Sequence, residues 1–513
     1  MRRRRVLRAG GVALASLTGI PGRGGAGNNA QTQQFEPLGT FNIDGLSEVV
    51  VDESGSVAYG ALRDGFVVLD LSDPASPTAL ARVSGILEDV DNGPVHEIFD
   101  VNLSGDRLLV GGPRHGAGRN EASGFEIYDV SVAESPKRLA GAVTDHGIHN
   151  AFLDGEMAYL TGTGAQGSPL VIYDVSGDTP AERSRWSVAS ADEAWASVPT
   201  TYHNCHDVYV QDGVAFVAFW DAGTWLVDVS DPANPRGMIG VGGIPPDAIP
   251  RETGRGPPPM LRELPGNSHY AQPSPDGSLL AVGKEAWDDE ETDIDGGPGG
   301  IEIWDVANVS DPMQITILGP PGENQTSHNF GWRGNRLYTS WYGGGIRVFD
   351  LSDPAEPTLL ATWADDETTA FWTAKPAADA VVASSYADPR RDQEAQFNGV
   401  GATLYTFPAP EDSAAAGAET VTPRPTPRST STATSENPTT SSLPSSTTAQ
   451  SGTTPSPDTS VGPTKTTERR ADETGTRTAT TGGSGPGFGV FGALAASGIA
   501  AWRLAARRDG DAD

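Results

Sequence analysis

The stretch FVVLDLSDP, residues Phe66–Pro74, decides the fold, because variants of it recur through the middle of the chain. A typical copy joins an apolar run to an aspartate, an apolar residue and a serine, and several copies continue into Asp-Pro. The aspartates of successive copies are Asp70, Asp129, Asp174, Asp228, Asp305 and Asp350. Their spacing is mostly near that of a four-stranded propeller blade, roughly 40–50 residues. The repeat therefore predicts an array of blades rather than several separate domains.

Each repeat is interpreted as four short strands, because β-branched and aromatic runs alternate with turns that contain Gly or Asp-Pro. In the sixth unit the runs are His328–Trp332, Arg336–Trp341, Ile346–Leu351 and Thr358–Trp363. Seven units are counted from the starts of their third strands, at Phe66, Phe125, Leu170, Trp225, Ile301, Ile346 and Thr403. No part of this region has a sustained helical period, so the predicted fold class is all-β.

The N-terminal end of the repeat region is predicted to close the ring. The seventh unit has no fourth strand after Phe407, whereas Glu36–Phe41 resembles the fourth-strand segment Glu356–Thr362. We therefore expect residues 35–410 to form a seven-bladed β-propeller whose N-terminal strand completes blade 7. Such closure leaves no unpaired edge strand.

The repeats resemble those of the LVIVD family, which is named for a third strand such as Leu170–Val175. The resemblance covers roughly residues 35–407 and recurs six or seven times. It implies a β-propeller exposed on cell surfaces and implies little about activity. Function must therefore be argued from the residues that the propeller gathers.

The charge balance bears on partners. The formal net charge is −32, so nucleic acid is not an expected partner, since phosphate binding needs a basic surface. The lysines are only Lys137, Lys284, Lys375 and Lys465. Such a surface resembles that of proteins from salt-loving archaea, although an ordinary acidic protein is the alternative. Cys205 is the only cysteine, which rules out an intrachain disulfide and a multi-thiolate metal site.

The N-terminal segment has the features of an export signal. Residues 1–30 combine a basic start with a short apolar run and small residues. Arg3 and Arg4 lie in a pattern that resembles a twin-arginine signal, and an ordinary secretory signal is the alternative.

The C-terminal segments are predicted to form a tether. Residues 411–484 are rich in Thr, Ser and Pro, which favours a disordered and O-glycosylated stalk. The tail, residues 485–513, contains a short apolar segment that is followed by arginines. Pro486, Gly487 and Phe488 resemble the sorting signal of archaeal surface proteins, whose tail an archaeosortase replaces by a lipid. A plain C-terminal membrane anchor is the alternative, and both place the propeller outside the cell.

Five of the eight histidines are predicted to begin the first strands of blades 2 to 6. They are His96, His149, His206, His269 and His328. Blades 1 and 7 have Ser47-Glu48 and Phe371-Trp372 in the same place. Because first strands surround the central channel of a propeller, these side chains should gather at one mouth.

Imidazoles at a common mouth suggest a transition-metal site for Zn, Cu, Fe or Ni. His146 and His203 are predicted accessory ligands, and Glu97, Asp207 and Glu48 are predicted carboxylate partners. Two other interpretations stay open, which are a structural role within each blade and a polar binding mouth without metal.

Several weaker features have two interpretations each. The repeated aspartates fit turn caps better than catalytic groups. Asp288–Asp295 fits a solvated acidic loop or a Ca²⁺ site, and Cys205 fits a core residue or a soft metal ligand. Asn102, Asn308 and Asn324 are candidate N-glycosylation sites.

The sequence thus leaves three functions open. The first is a surface module or scaffold that binds a protein or small molecule at a propeller face. The others are a metal-dependent enzyme, such as an oxidoreductase, and a structural component of the cell envelope. Export and sorting machinery and the membrane are the other expected partners.

Overall fold

The structure, a computed structural model, describes residues 33–115, 121–249, 264, 266–286, 299–322 and 325–410. Within these residues the chain forms seven four-stranded antiparallel sheets, here called blades 1 to 7, with one further short strand on blade 6. The all-β, seven-bladed prediction is therefore confirmed.

The strands of blades 1 to 4 follow chain order within each blade. Blades 1 and 2 contain Val49–Val51, Val57–Leu62, Gly65–Asp70 and Thr78–Ser84, then Asp100–Ser104, Arg107–Gly112, Gly124–Asp129 and Lys137–Val143. Blades 3 and 4 contain Gly147–Asp154, Met157–Thr163, Leu170–Asp174 and Ala181–Trp186, then Asp207–Gln211, Val214–Ala218, Thr224–Asp228 and Arg236–Val241.

The remaining blades include the strands that join the two ends of the propeller. Blades 5 and 6 contain Ser268–Pro273, Leu279–Lys284, Ile301–Asp305 and Met313–Leu318, then Ser327–Arg333, Arg336–Trp341, Gly345–Asp350 and Thr358–Trp363. Blade 7 contains Phe371–Pro376, Ala380–Ser385, Thr403–Pro408 and the N-terminal strand Gly39–Asn42, and the extra strand on blade 6 is Gln33–Gln34.

Helices are few and short among the described residues. They are the α-helices Val188–Ala191 and Gln393–Phe397 and the 3₁₀-helices Glu193–Ser197 and Thr200–Tyr202. None of the helices in the described ranges has the length and apolar character needed to cross a membrane.

The N-terminal strand closes the ring as predicted. Gly39–Asn42 pairs antiparallel with Thr403–Pro408, and Phe41 lies opposite Leu404. Phe35, just before this strand, is buried between blades 6 and 7. Both ends of the propeller are thereby held in one blade.

The repeated motif explains the regularity of the blades. Each of the seven predicted starts falls within one of the observed third strands. The aspartate that ends such a strand accepts a hydrogen bond from the backbone N–H two residues later, as Asp70 does from Ser72 at 2.8 Å. Hydrogen bonds from Ser72 also lower the pKa of Asp70. The prediction that these aspartates cap turns is confirmed.

The core lies between blades. Each of seven buried apolar clusters joins two neighbouring blades, and one of them carries Leu46 and Val49 of blade 1 against Val382 and Leu404 of blade 7. The first strands contact one another in ring order and surround the central axis. Loss of one blade would therefore expose two apolar interfaces.

Several predicted features lie outside the described residues. They are the signal segment with Arg3 and Arg4, the stalk at 411–484, the tail at 485–513 with Pro486, Gly487 and Phe488, the candidate glycosylation site Asn324 and the acidic segment Asp288–Asp295.

Candidate functional site

Bulges at the start of four of the seven first strands help to shape the site. The pairing of first and second strands slips in blades 3, 5, 6 and 7, between Ile148 and Ala151 in blade 3 and at the matching places in the others. A bulge adds a residue to one strand and re-aims the side chains beside it. In blade 3 the Thr161 hydroxyl accepts hydrogen bonds from the N–H groups of His149 and Asn150, each at 3.0 Å, so neither donor is left unpaired.

Six rings form a layer around the channel, here called the ring layer. They are Phe99, His149, His206, His269, His328 and Trp372. Ring centroids are 4.2 Å apart for His149 and His206, and 4.2 Å for His206 and His269. The series continues at 4.4 Å to His328 and 4.2 Å to Trp372. Four of the five predicted histidines are thus brought together.

The prediction for blade 2 was wrong. His96 is exposed and lies before the first strand, which begins at Asp100, and Phe99 occupies the place in the ring layer. The connection from blade 1 is longer than the histidine pattern implied. The predicted position of the ring-layer residue in this blade was therefore three residues too early. Ser47 and Trp372 occupy the predicted places in blades 1 and 7, and the Ser47 hydroxyl donates to the Phe99 carbonyl at 2.9 Å.

Hydrogen bonds between blades fix the ring nitrogens. Nδ1 of His206 lies 3.0 Å from the carbonyl of His269, and Nδ1 of His328 lies 2.7 Å from the carbonyl of Trp372. A backbone carbonyl at Nδ1 selects the tautomer whose lone pair is on Nε2. His206 and His328 therefore link neighbouring blades and leave Nε2 available, whereas Nε2 of His269 contacts Glu285 of its own blade.

Glu285 completes a group of three possible ligands that the histidine pattern alone did not reveal. One carboxylate oxygen of Glu285 lies 2.9 Å from Nε2 of His269. One ligand atom each from His206, His269 and Glu285 lie within 4.8 Å of one another, and all three residues are buried. Glu285 directly follows the second strand of blade 5, which ends at the edge where the first strand begins. That adjacency, read from strand order, is the signal that could have found it.

Burial controls the protonation of the ring layer. It lowers the pKa of His149, His206 and His328 well below the usual value, and neighbouring imidazoles and Arg114 lower it further. These imidazoles are therefore neutral near pH 7, which is the form that binds metal.

The mouth, the side of the ring layer where second strands end, carries charged and phenolic groups. The guanidinium carbons of Arg63 and Arg114 lie 3.6 and 3.7 Å from the centre of the Phe99 ring. Burial and then the charge of Arg114 lower the pKa of Arg63 to about 9. Tyr342 packs on His328 at 4.8 Å, and Tyr386 packs on Trp372 at 5.4 Å. A ligand at the mouth would therefore meet cationic, aromatic and hydroxyl groups.

The predicted accessory residues have other surroundings. His146 and His203 are not in the ring layer, because their ring nitrogens bond the carbonyls of Gly147 and Val198 at 2.9 and 3.1 Å. Glu97 is partly buried, its pKa is raised by burial, and its charge interacts with the two arginines of the mouth. Cys205 is fully buried in the core between blades 3 and 4, as the core interpretation expected.

A cavity of about 270 Å³ lies beyond the ring layer, away from the mouth, and is here called the acidic cavity. Its lining begins at the residues that follow Ser47, Phe99, His206, His269 and His328 and continues along the first strands. The charged residues in that lining are Glu48, Asp100, Asp207 and Lys375. The predicted partners Glu48 and Asp207 therefore belong to this cavity rather than to the imidazole nitrogens.

The candidate glycosylation sites differ in access. Asn102 lines the acidic cavity, and its side-chain oxygen accepts a hydrogen bond from Leu153 N–H at 2.9 Å. A bulky glycan would not fit at this position. Asn308 is exposed in a turn of blade 5 and stays a candidate.

The comparison with sequence families agrees with the repeats. The LVIVD repeat profile matches residues 49–84 and 204–240, which are blade 1 and nearly all of blade 4. This chain carries LVIVD repeats. No curated protein matches its sequence. A solved structure with similarity is the Cps50 (Swd1) β-propeller domain of Myceliophteria thermophila, at 9% identity and a TM-score of 0.49, over 73% of this chain and 99% of that chain.

Proposed function

We propose that this LVIVD-repeat propeller is a cell-surface binding module that holds a first-row transition-metal ion at its channel mouth. The observation that carries the proposal is the convergence of His206, His269 and Glu285 within 4.8 Å. Two imidazoles and a carboxylate suit Zn, Fe, Cu or Ni, and zinc binds such atoms at about 2.0–2.2 Å.

The separations fit a shared ion. Two ligands of one ion at 2.0–2.1 Å lie about 3 Å apart, and the His269–Glu285 separation is 2.9 Å. His206 offers Nε2 because its Nδ1 is bonded to a carbonyl, an arrangement found for metal-bound histidines. A bound ion would take the place of the direct contact between His269 and Glu285.

The ligand set favours a binding site with open positions. Three protein ligands leave at least one position of a four-coordinate ion for an outside group. Arg63, Arg114 and Tyr342 lie on the same side of the ring layer and would meet such a group. A scaffold that displays a ligand through a metal ion follows from this arrangement.

Metal content tests the proposal. The purified full-length protein, stripped with a chelator and reloaded with Zn²⁺, should retain about one ion per chain after gel filtration, as measured by plasma mass spectrometry. Retention of no ion with Zn²⁺, Fe²⁺, Cu²⁺ or Ni²⁺ would contradict it and would leave the histidines with their structural role between blades.

A second candidate function is a metal-dependent oxidoreductase. It is favoured by the two-histidine, one-carboxylate set, a ligand type that open-sited iron oxygenases use. Reduction of bound Fe³⁺ and reaction with O₂ in the presence of a substrate would distinguish an enzyme from a binding module. A purely structural envelope component would need neither metal nor ligand.

The location of the propeller at the cell surface is also a proposal. It is supported by the signal-like residues 1–30, the Thr/Ser/Pro-rich residues 411–484 and the Pro486-Gly487-Phe488 motif. Mass spectrometry of the mature surface protein should find no peptide from residues 489–513 if the tail is removed. Recovery of that tail would favour a plain membrane anchor.

A further inference from the structure

The acidic cavity has charge and shape that the metal proposal does not use. Glu48 and Asp207 are 3% and 5% exposed, yet three carboxylates share this space with one ammonium group, Lys375. The lysine is already engaged, because its Nζ donates to the carbonyl of Phe330 at 2.9 Å and lies 3.4 Å from Glu48. The lining therefore has an excess of negative charge when its acids are ionised.

One buried acceptor in this lining has no donor. Asn329 is 4% exposed, and its Nδ2 donates to Glu48 at 2.8 Å. Its Oδ1 has no hydrogen-bond partner among the described residues. A buried acceptor without a donor is rare in folded proteins and is usually satisfied by water, an ion or a ligand. A ligand with a hydrogen-bond donor would satisfy this oxygen.

The space suits an organic cation better than a bare metal ion. The cavity of about 270 Å³ is far larger than the roughly 10–15 Å³ that one water needs. Among the described residues, close ligand convergence is found for His206, His269 and Glu285 and not for the cavity carboxylates. The walls also carry apolar surface from Phe152, Tyr209 and Trp332. Dispersed oxygen acceptors with aromatic walls fit an ammonium group on an alkyl stem.

We propose that the acidic cavity binds a small primary alkylammonium ion. Its N–H groups would donate to Asp100, Asp207 and Asn329, and its alkyl stem would lie on Tyr209 and the neighbouring aromatic walls. The site is separate from the metal at the mouth, so either can be correct without the other.

The carboxylates give the binding a direction with pH. Burial and then the charge of Glu48 raise the pKa of Asp100 well above its usual value, and the other ionisable groups of the cavity are Asp207, Lys375, Tyr209 and Tyr270. A bound cation favours the ionised acids and releases their protons. Affinity for the cation should therefore rise as pH rises.

The test is calorimetric titration of the full-length protein with n-butylammonium chloride at constant ionic strength. Two probes of the same chain length, n-butanol and sodium butyrate, separate charge from shape. Butylammonium should bind, more tightly at high pH, and neither of the other probes should. Equal binding of butylammonium and butanol, or no binding of butylammonium, would overturn the proposal.

Two variants with opposite expected effects distinguish a change in binding from loss of the folded structure. Asp207→Asn should weaken butylammonium binding about tenfold or more, and Lys375→Met should tighten it about tenfold by removing the competing internal ammonium. The same change in a surface turn, Asp174→Asn, is the matched control and should leave binding unchanged. Tighter binding in Lys375→Met cannot come from loss of fold, and failure to tighten binding in a variant that still unfolds cooperatively would overturn the proposal.

Discussion

The ring layer and the acidic cavity are made from neighbouring residues of the same strands, yet they have opposite chemistry. His206 and His269 stack in the ring layer, whereas the residues that follow them, Asp207 and Tyr270, line the cavity. In blades 3, 5, 6 and 7 a bulge at this point lets consecutive side chains face the channel at two levels. One local geometry, repeated around a propeller, thus builds two sites whose ligand preferences differ.

Burial acts on the two levels in opposite directions. It keeps His149, His206 and His328 neutral by lowering their pKa, and it raises the pKa of Asp100 and Asp207 in the cavity. Each group loses the charge that water would otherwise stabilise. A metal ion at the first level would bind the lone pairs of neutral imidazoles, and an ammonium ion at the second would supply the opposite charge that favours the ionised carboxylates.

The largest effect is expected from a deletion that disrupts both the ring layer and the acidic cavity. Deletion of residues 35–43 removes the fourth strand of blade 7. Blade 7 contributes Trp372 to the ring layer and Lys375 to the acidic cavity. Loss of one buried Phe alone costs about 3–5 kcal/mol, a large part of the 5–15 kcal/mol of a typical domain. We expect the thermal transition to move far down or vanish, as followed by circular dichroism.

A point variant provides the control for this deletion. Leu38 lies in the deleted segment but is 44% exposed, so Leu38→Ala should leave the transition almost unchanged. If the deletion melts like the intact protein, the N-terminal strand does not hold the ring closed.

The second effect separates the two levels. Replacement of His206 and His269 together by Ala should abolish Zn²⁺ retention, because two of the three ligands are gone. His328→Ala is the matched control, since this ring lies in the same layer and bonds a neighbouring blade but is outside the group of three. It should cost comparable stability per residue and keep the metal, as measured by plasma mass spectrometry after gel filtration. Equal metal loss in both variants would favour a purely structural role.

The third effect tests the carboxylate. Glu285→Gln should weaken Zn²⁺ binding by more than about a hundredfold, beyond the loss seen when an outer partner of a ligand is removed. Glu302→Gln alters a nearby carboxylate of the same blade, which lies 3.8 Å from Lys284, and should leave the affinity unchanged. Competition titration with a zinc-sensitive dye measures both. Retained affinity in Glu285→Gln would remove Glu285 from the site.

Much of the fold was predictable because its signal repeats. The Asp-x-Ser turn recurs at the end of third strands, so third strands and the missing strand of blade 7 could be located from the sequence. The ring layer was predictable only where a histidine marked it. Blade 2 has Phe99 in the ring layer instead of a histidine. His96, three residues earlier, was therefore taken for the residue at that place. Glu285 escaped notice because no other blade has a carboxylate at that place.

The fourth effect is a difference in pH dependence. A histidine with a lowered pKa destabilises the fold as pH falls below its usual value of 6.5, because the unfolded chain binds the proton more readily. An aspartate with a raised pKa destabilises the fold as pH rises above its usual value of 3.8. His328→Gln should therefore flatten the acid side of the stability profile, and Asp207→Asn the rising-pH side. Urea midpoints between pH 4 and 8 measure both slopes, and parallel profiles would contradict the assignment.

The smallest effect concerns Cys205, whose thiol lies in the core although the next residue is in the ring layer. Cys205→Ala should cost about 1 kcal/mol of unfolding free energy, the typical cost of a point substitution. Metal content should not change, because the thiol does not reach the channel. Loss of metal in this variant would show that the thiol is a ligand after all.

Anomalous diffraction from a crystal of the Zn²⁺-loaded protein, collected at the zinc edge, tests the central claim most directly. One strong peak is expected at the channel mouth, about 2.0–2.2 Å from nitrogens of His206 and His269 and an oxygen of Glu285. A peak elsewhere, or no peak at the ring layer in a protein that is fully folded, would contradict it.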